Sequence, residues 1–291
     1  MNKQYTIVKS YQNNVMLRKS FNELAMKTFG IDFEDWYQNG YWGEKYIPYS
    51  ILDGNEVIAN VSVHLMEFET DGYRKKYIQL GTVMTEEAYR NQGLIRKLIE
   101  EVEKDYAEKA EGFYLFANDS VKEFYPKFGF KEGREYQYSK SVQNNDEASV
   151  VQISMKDMEN WRLLEDAITS SVNYSCFEMK NNMELIMFYI TKFMQENVYY
   201  MRKQNAYIIA EIEDETVLLH NIFADRVVDL DNVAQAFGKE IKRMILGFTP
   251  LKKDGYKITE VQEEDTTLFL RGTGFINFEK EEKMFPTLSH A

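Results

Sequence analysis

Arg90-Asn91-Gln92-Gly93-Leu94-Ile95-Arg96 is the stretch of this chain best equipped for chemistry. An alternating run through Val83, Met84 and Thr85 leads into it and a helical pattern leads out, which makes it a strand-to-helix loop. Backbone N–H groups at such a helix start, backed by the positive end of the helix dipole, hold phosphate oxygens. Gly93 permits a backbone conformation or approach that a side chain would block, and Arg90 and Arg96 can add charge-assisted contacts to a pyrophosphate. Arg-x-x-Gly alone equally fits an ordinary polar turn. Its weight comes from a second segment, Asn118 to Phe130, lying one helix and one strand further along.

The elements that must position these residues follow from periodicity. A short strand is predicted at Tyr5 to Val8, a helix over Val15 to Phe29 and a second short helix in Asp32 to Gly40. Ile47 to Leu52 and Glu56 to Glu69 are two strands joined at Asp53-Gly54-Asn55. After the Asp71-Gly72 turn, Tyr77 to Met84 is a central strand in which Gly81 marks a bulge or a close approach. A helix starts near Gly93 with Leu94, Leu98, Val102 and Tyr106 as its buried stripe, and Phe113 to Ala117 is a short buried strand. Ser120-Val121-Lys122-Glu123 fits a capping box, with Tyr125 about one turn into the helix it would start. Two strands around Lys131 to Arg134 then close the first unit, and Gln143 to Ser149 is the linker.

Past the linker the same order recurs in weaker form. Met158 to Ile168, Met183 to Gln195 and Val233 to Ile241 are predicted helices. Tyr199 to Met201, Ala206 to Ile212 and Thr216 to Phe223 are extended, and short strands end the chain. The expected architecture is α/β with mixed sheets, as two similar units at 1–142 and 150–291. Where the second unit should carry a phosphate loop it has Asp225, Asp229 and Asp231, whose charges repel pyrophosphate.

Composition narrows the functional classes. The 291 residues, 44% hydrophobic and 14% aromatic, suffice for two packed cores. With 47 acidic against 35 basic side chains the formal charge is −12, which disfavours nucleic acid and anionic membranes as partners and favours cationic ligands. One cysteine and three scattered histidines show no zinc-ligand spacing, so no metal is expected. No apolar run suggests a signal peptide or a membrane span, and a cytoplasmic location is expected.

Taken together, the two segments resemble the GCN5-related N-acetyltransferase (GNAT) superfamily. Arg90 to Leu94 follows its R/Q-x-x-G-x-G/A loop, with Ile95 in place of the small residue, and Asn118 to Phe130 follows its N-x-x-A-x-x-F-Y-x-K-x-G-F segment, with Val121 in place of alanine. The Arg-x-x-Gly-Leu-Ile-Arg-x-Leu version looks like the tandem-domain branch of the enhanced-intracellular-survival acetyltransferases, without that branch's third domain. The resemblance implies acetyl-coenzyme A as cosubstrate and transfer of its acetyl group to the amine of a small, cationic acceptor. It also implies that the backbone of Val83, Met84 and Thr85 pairs with the pantetheine arm, in a gap opened by splaying from the Phe113 to Ala117 strand. The amides of Asn91, Gln92, Gly93, Leu94, Ile95 and Arg96 would hold the pyrophosphate, and Asn118 and Ser120 would lie near the thioester.

Tyr125 matches the family's tyrosine, a general acid that protonates the leaving thiolate. As bland alternatives, Ser120 caps a helix and Tyr125 anchors a core beside Phe124 and Phe128. No motif places a general base. Glu67 and Glu69 alternate to the face opposite His64, and water can take the proton. In the resembling branch the chain-terminal carboxylate is the base. That corresponds to Ala291 here if the apolar tail Met284 to Ala291 docks on the first unit, with simple packing as the alternative. Trp36, Tyr37, Tyr41 and Trp42, with Glu34, Asp35 and Glu44, fall where the acceptor pocket is expected. The second unit would shape that pocket or mediate self-association. The competing reading is a non-catalytic acyl-coenzyme A-binding or protein-interaction protein.

Overall fold

The structure is a computed structural model describing residues 5–143 and 146–290. Asn144 and Asn145 of the expected linker, and Ala291, lie outside the described residues.

Strand β1 (Thr6–Lys9) precedes helices α1 (Val15–Phe29) and α2 (Glu34–Gln38). Asn14 caps α1, its Oδ1 accepting from the amides of Met16 and Leu17, and Gly30 ends it in the left-handed region at φ 70°. Three long antiparallel strands follow: β2 (Tyr46–Asp53), β3 (Glu56–Thr70) and β4 (Tyr73–Thr85). The β3–β4 turn uses Asp71 and Gly72, both at positive φ, the twist a tight hairpin requires. Helix α3 (Leu94–Tyr106) packs Leu94, Leu98, Ile99 and Val102 onto the sheet before β5 (Gly112–Ala117), which runs parallel to β4. After β5 come β6 (Lys131–Glu132), β7 (Tyr136–Ser141) and β8 (Val151–Gln152).

The second half contributes α4 (Met158–Ser170), β9 (Glu178–Met179), α5 (Met183–Lys192), β10 (Val198–Met201), β11 (Ala206–Glu213) and β12 (Thr216–Phe223). It ends with α6 (Leu230–Gln235), β13 (Arg243–Leu246), β14 (Lys257–Glu260) and β15 (Thr267–Arg271). Helix α6 stops well short of the predicted Val233 to Ile241 span, since Gly238 turns the chain at φ 102° against Ala148.

Two mixed sheets result. The first runs β1-β2-β3-β4-β5-β15-β6, with β9 also on β3, and the second runs β14-β7-β13-β12-β11-β10-β8. Read from the other edge, the second repeats the first position by position, and each contains one parallel pair, β4–β5 or β12–β13.

The predicted pair of strands closing the first unit is corrected here. β6 stays in the first sheet, but β7 crosses to the second between β13 and β14, while β15 comes back to lie between β5 and β6. Each half therefore lends the other one strand, and the units expected at 1–142 and 150–291 interlock. Arg271 anchors β15 by donating to Phe128 O at 2.8 Å and to Glu103, its guanidinium lying over Phe113 and Phe130. The shared seam is aromatic, with Phe68 on Phe177 at 4.3 Å and Tyr114 on Phe285 at 4.1 Å. No helix among the described residues is long and apolar enough to cross a membrane.

Candidate active site

Parallel pairing of β4 with β5 ends at Gln79↔Tyr114, yet β4 runs on to Thr85 and β5 to Ala117. The two diverge into a V, and a cavity of about 1060 Å³ opens from it. Val83, Met84, Thr85, every residue from Arg90 to Arg96, Asn118, Ser120 and Tyr125 line that single cavity.

A bulge shapes the β4 wall. Ser62 pairs with Gly81 and Asn60 with Met84, so Thr82 and Val83 together face Val61 alone. The bulge expected from Gly81 thus falls just after it, with Thr82, not the glycine, at positive φ (46°). Side chains hold it there. Asn60, fully buried, donates to Thr82 O at 2.8 Å and to Ser62 Oγ at 2.9 Å, while Ser50 Oγ donates to its Oδ1 at 2.8 Å. Tyr46 Oη lies 2.5 Å from Thr82 Oγ1.

Below the V the chain passes Asn91 at φ 60° and Gly93 at φ 72° before entering α3. Gly93 is the N-cap and brings no side-chain acceptor, so the first-turn amides of α3 stay open toward the cavity. Arg90 Nε reaches Thr85 O at 3.4 Å, and the Arg96 guanidinium stacks 4.8 Å from the Phe128 ring centre.

The opposite wall departs from the prediction. No α-helix starts at Ser120; the segment makes two 3-10 turns, Asp119–Val121 and Tyr125–Phe128. Pro126 lacks the amide an α-helix would use there. The turn's amide is satisfied from far away: Asp265, just before β15, accepts Asp119 N at 2.7 Å and Asn118 Nδ2 at 2.9 Å, and these bonds hold its carboxyl below the usual range. Nothing local in the sequence marks Asp265. Tyr125 is buried among Phe124, Phe130 and Phe269, and burial pushes its phenol up to about 12.

The far end of the cavity lies between the two halves, where Phe33 stacks on Phe188 at 5.4 Å and Trp36 Nε1 donates to Glu184 O at 2.8 Å. Of the predicted acceptor cluster only Trp36 lines the cavity. Glu34 is instead bound to Arg18, at 2.9 and 3.1 Å. Glu67 and Glu69 pair with Arg74 away from the cavity, while His64 faces into it, and burial lowers His64 to about 3. The tail does reach the first sheet: the His290 ring stacks on Phe116 at 3.8 Å, and Tyr189 Oη donates to His290 O.

The equivalent V in the second sheet is closed. Gly247 N donates to Leu219 O and Thr287 N to Gly247 O, each at 2.8 Å, so the tail fills the space beyond the last β12–β13 pair. Asp229 caps α6 with its own carboxylate at Asp231 N, 2.8 Å. The cavity thus opens from the V of the first sheet and not from that of the second.

Residues 13–130 match the Acetyltransferase (GNAT) family. Three solved structures share the fold over nearly the whole chain. A conserved protein of Enterococcus faecalis V583, titled "Probable N-Acyltransferase", is 14% identical with TM-score 0.63, covering 92% of this chain and 72% of that one. A GCN5-related N-acetyltransferase from Kribbella flavida is 14% identical with TM-score 0.54, over 93% and 71%. Eis1 from Mycobacterium abscessus is 12% identical with TM-score 0.52, over 91% and 72%. No curated protein sequence matches the chain.

Proposed function

We propose that this chain, whose residues 13–130 match the GNAT family, transfers the acetyl group of acetyl-coenzyme A directly to an amine. The observation that carries the reading is the confinement of three features to one cavity: the open β4 edge, the uncapped start of α3 and the Tyr125 phenol.

Each feature fits one part of the cosubstrate. The amides from Asn91 to Arg96 suit a pyrophosphate, with Arg90 and Arg96 adding charge. The β4 edge at Val83, Met84 and Thr85, freed from β5, suits the amide groups of pantetheine, which pair with it as a further strand would. Asn118 and Ser120, on the turn that Asp265 steadies and lining the same cavity, suit contact with the thioester end of the arm.

The reaction needs one bond made and one broken. The amine nitrogen attacks the thioester carbonyl carbon, the C–N bond forms, and the C–S bond breaks with its electron pair leaving on sulfur. The Tyr125 phenol gives sulfur its proton, and the proton shed by the amine restores the phenol through solvent. A phenol raised to about 12 stays protonated at neutral pH and so carries the proton that the leaving sulfur takes.

The test combines calorimetric titration of acetyl-coenzyme A with thiol release over a chemically diverse amine panel. Expected are saturable binding and turnover of at least one amine, with Tyr125→Phe lowering kcat about 100-fold while acetyl-coenzyme A affinity stays within about twofold. Unchanged thiol release in Tyr125→Phe would sink the catalytic assignment. Binding without turnover of any amine would establish a non-catalytic acyl-coenzyme A binder instead.

A further inference from the structure

We propose that the acceptor is a monoamine carried on an apolar, aromatic-sized body, the arylalkylamine class, received between α2 and α5. This rests on the acetyltransferase reading above and specifies its second substrate.

The far end of the cavity is walled by Phe33, Trp36, Tyr46, Leu185, Phe188 and Tyr189. Their polar atoms are already engaged. Trp36 Nε1 donates to Glu184 O, Tyr46 Oη pairs with Thr82 Oγ1, and Tyr189 Oη donates to His290 O. What these side chains offer a ligand is ring face and edge, which favours flat apolar groups.

Among the described residues, no carboxylate lines this end of the cavity. The one carboxylate side chain lining the cavity among the described residues is Asp265, committed to Asn118 and Asp119 beside the cofactor arm. Glu184, whose carbonyl accepts Trp36 Nε1, has its carboxylate paired with Lys45 at 3.5 Å. His64 and His290 both line the cavity, and burial keeps each neutral, lowering them to about 3 and about 4. A polyamine or aminoglycoside would bring several ammonium groups into this end with no counter-charge, and an unpaired buried charge is heavily penalised. A monoamine must enter as the neutral base in any case, because only that form attacks the thioester.

Two polar atoms on the wall await a partner, His64 Nδ1 and His290 Nε2. His64 is 1% exposed, Asn182 Nδ2 lies 3.3 Å from its Nε2, and its Nδ1 has no hydrogen-bond partner. A neutral primary amine both donates and accepts, so it satisfies Nδ1 in either tautomer. The inner surface thus asks for few polar groups on a largely apolar molecule, an amine at His64 being one of them.

The experiment compares kcat/KM at saturating acetyl-coenzyme A for phenethylamine and tryptamine with spermidine, kanamycin and lysine. Expected is at least a tenfold preference for the aryl amines. Phe188→Ala should raise their KM about tenfold with acetyl-coenzyme A affinity unchanged, because Phe188 borders the far end and not the phosphate loop. Preferred turnover of spermidine, kanamycin or lysine overturns this inference and leaves the acetyltransferase reading standing. A selective gain in affinity for octanoyl-coenzyme A over acetyl-coenzyme A, without aryl-amine preference, also overturns it by assigning the aromatic end to an acyl chain. Absence of acetyl-coenzyme A binding overturns the underlying reading itself.

Discussion

The carboxylate of Asp265 accepts the backbone amide of Asp119 at 2.7 Å across 146 residues of sequence. One strand exchange makes that bond possible: β15 enters the first sheet beside β5 and carries Asp265 to the rim of the cavity. The second half of the chain therefore builds part of the first half's site.

Asp265→Ala should leave the fold nearly intact and impair the cofactor arm. The side chain is exposed, so a melting-temperature change of no more than about 2 °C is expected. With Asn118 and Asp119 released, KM for acetyl-coenzyme A should rise several-fold while kcat for bound substrate changes less. Steady-state kinetics paired with thermal melts would check this, and an unchanged KM would remove Asp265 from the site.

Asn60→Ala addresses the bulge. It leaves Thr82 O without its buried donor and Ser50 Oγ without its acceptor, a loss of about 1–3 kcal/mol in stability. Since Thr82 is held at φ 46° in that bulge, the β4 edge should also lose its aim and acetyl-coenzyme A affinity should fall. Urea unfolding and calorimetry measure the two effects. A stability loss with intact cofactor affinity would separate the bulge from binding.

Glu135 predicts a pH dependence of folding. It sits where the chain leaves β6 for the other sheet, and its Oε1 accepts Phe285 N at 2.7 Å. Burial raises its carboxyl to about 8, from 4.5 when exposed. Between those values the folded chain keeps a proton that the unfolded chain has released, so Glu135 lowers stability as pH rises from about 4.5 to about 8. Glu135→Gln cannot titrate, and its melting temperature should decline less over that window and exceed the parent's at pH 8. Parallel declines in the two proteins would contradict the assignment.

Local pattern carried much of this protein. Helix α1 covers the predicted Val15 to Phe29, because an apolar stripe, the Asn14 cap and Gly30 all act within a few residues. The shape of the Arg90 to Arg96 loop was legible for the same reason: it needs only a strand, a left-handed glycine and a helix start in succession. Even Tyr125 could be singled out, although the helix expected around it is replaced by two 3-10 turns, Pro126 and the distant Asp265 having overruled the capping pattern.

What the linear pattern could not contain is which strand closes which sheet. Tyr136–Ser141 alternates well enough for either sheet, and only the packing of both halves sends it to the second while Thr267–Arg271 fills its place in the first. That exchange decided where Asp265 lies, and the packing of the two halves brings His290 against Phe116 and aromatic side chains of both halves to the far end of the cavity. Sequence by itself determined most of the elements and the strand–loop–helix form of the Arg90 to Arg96 segment, which depend on neighbours a few residues apart. Tertiary structure alone decided the walls of the site, because they are made of side chains brought together across more than a hundred residues, through contacts that leave no local periodicity.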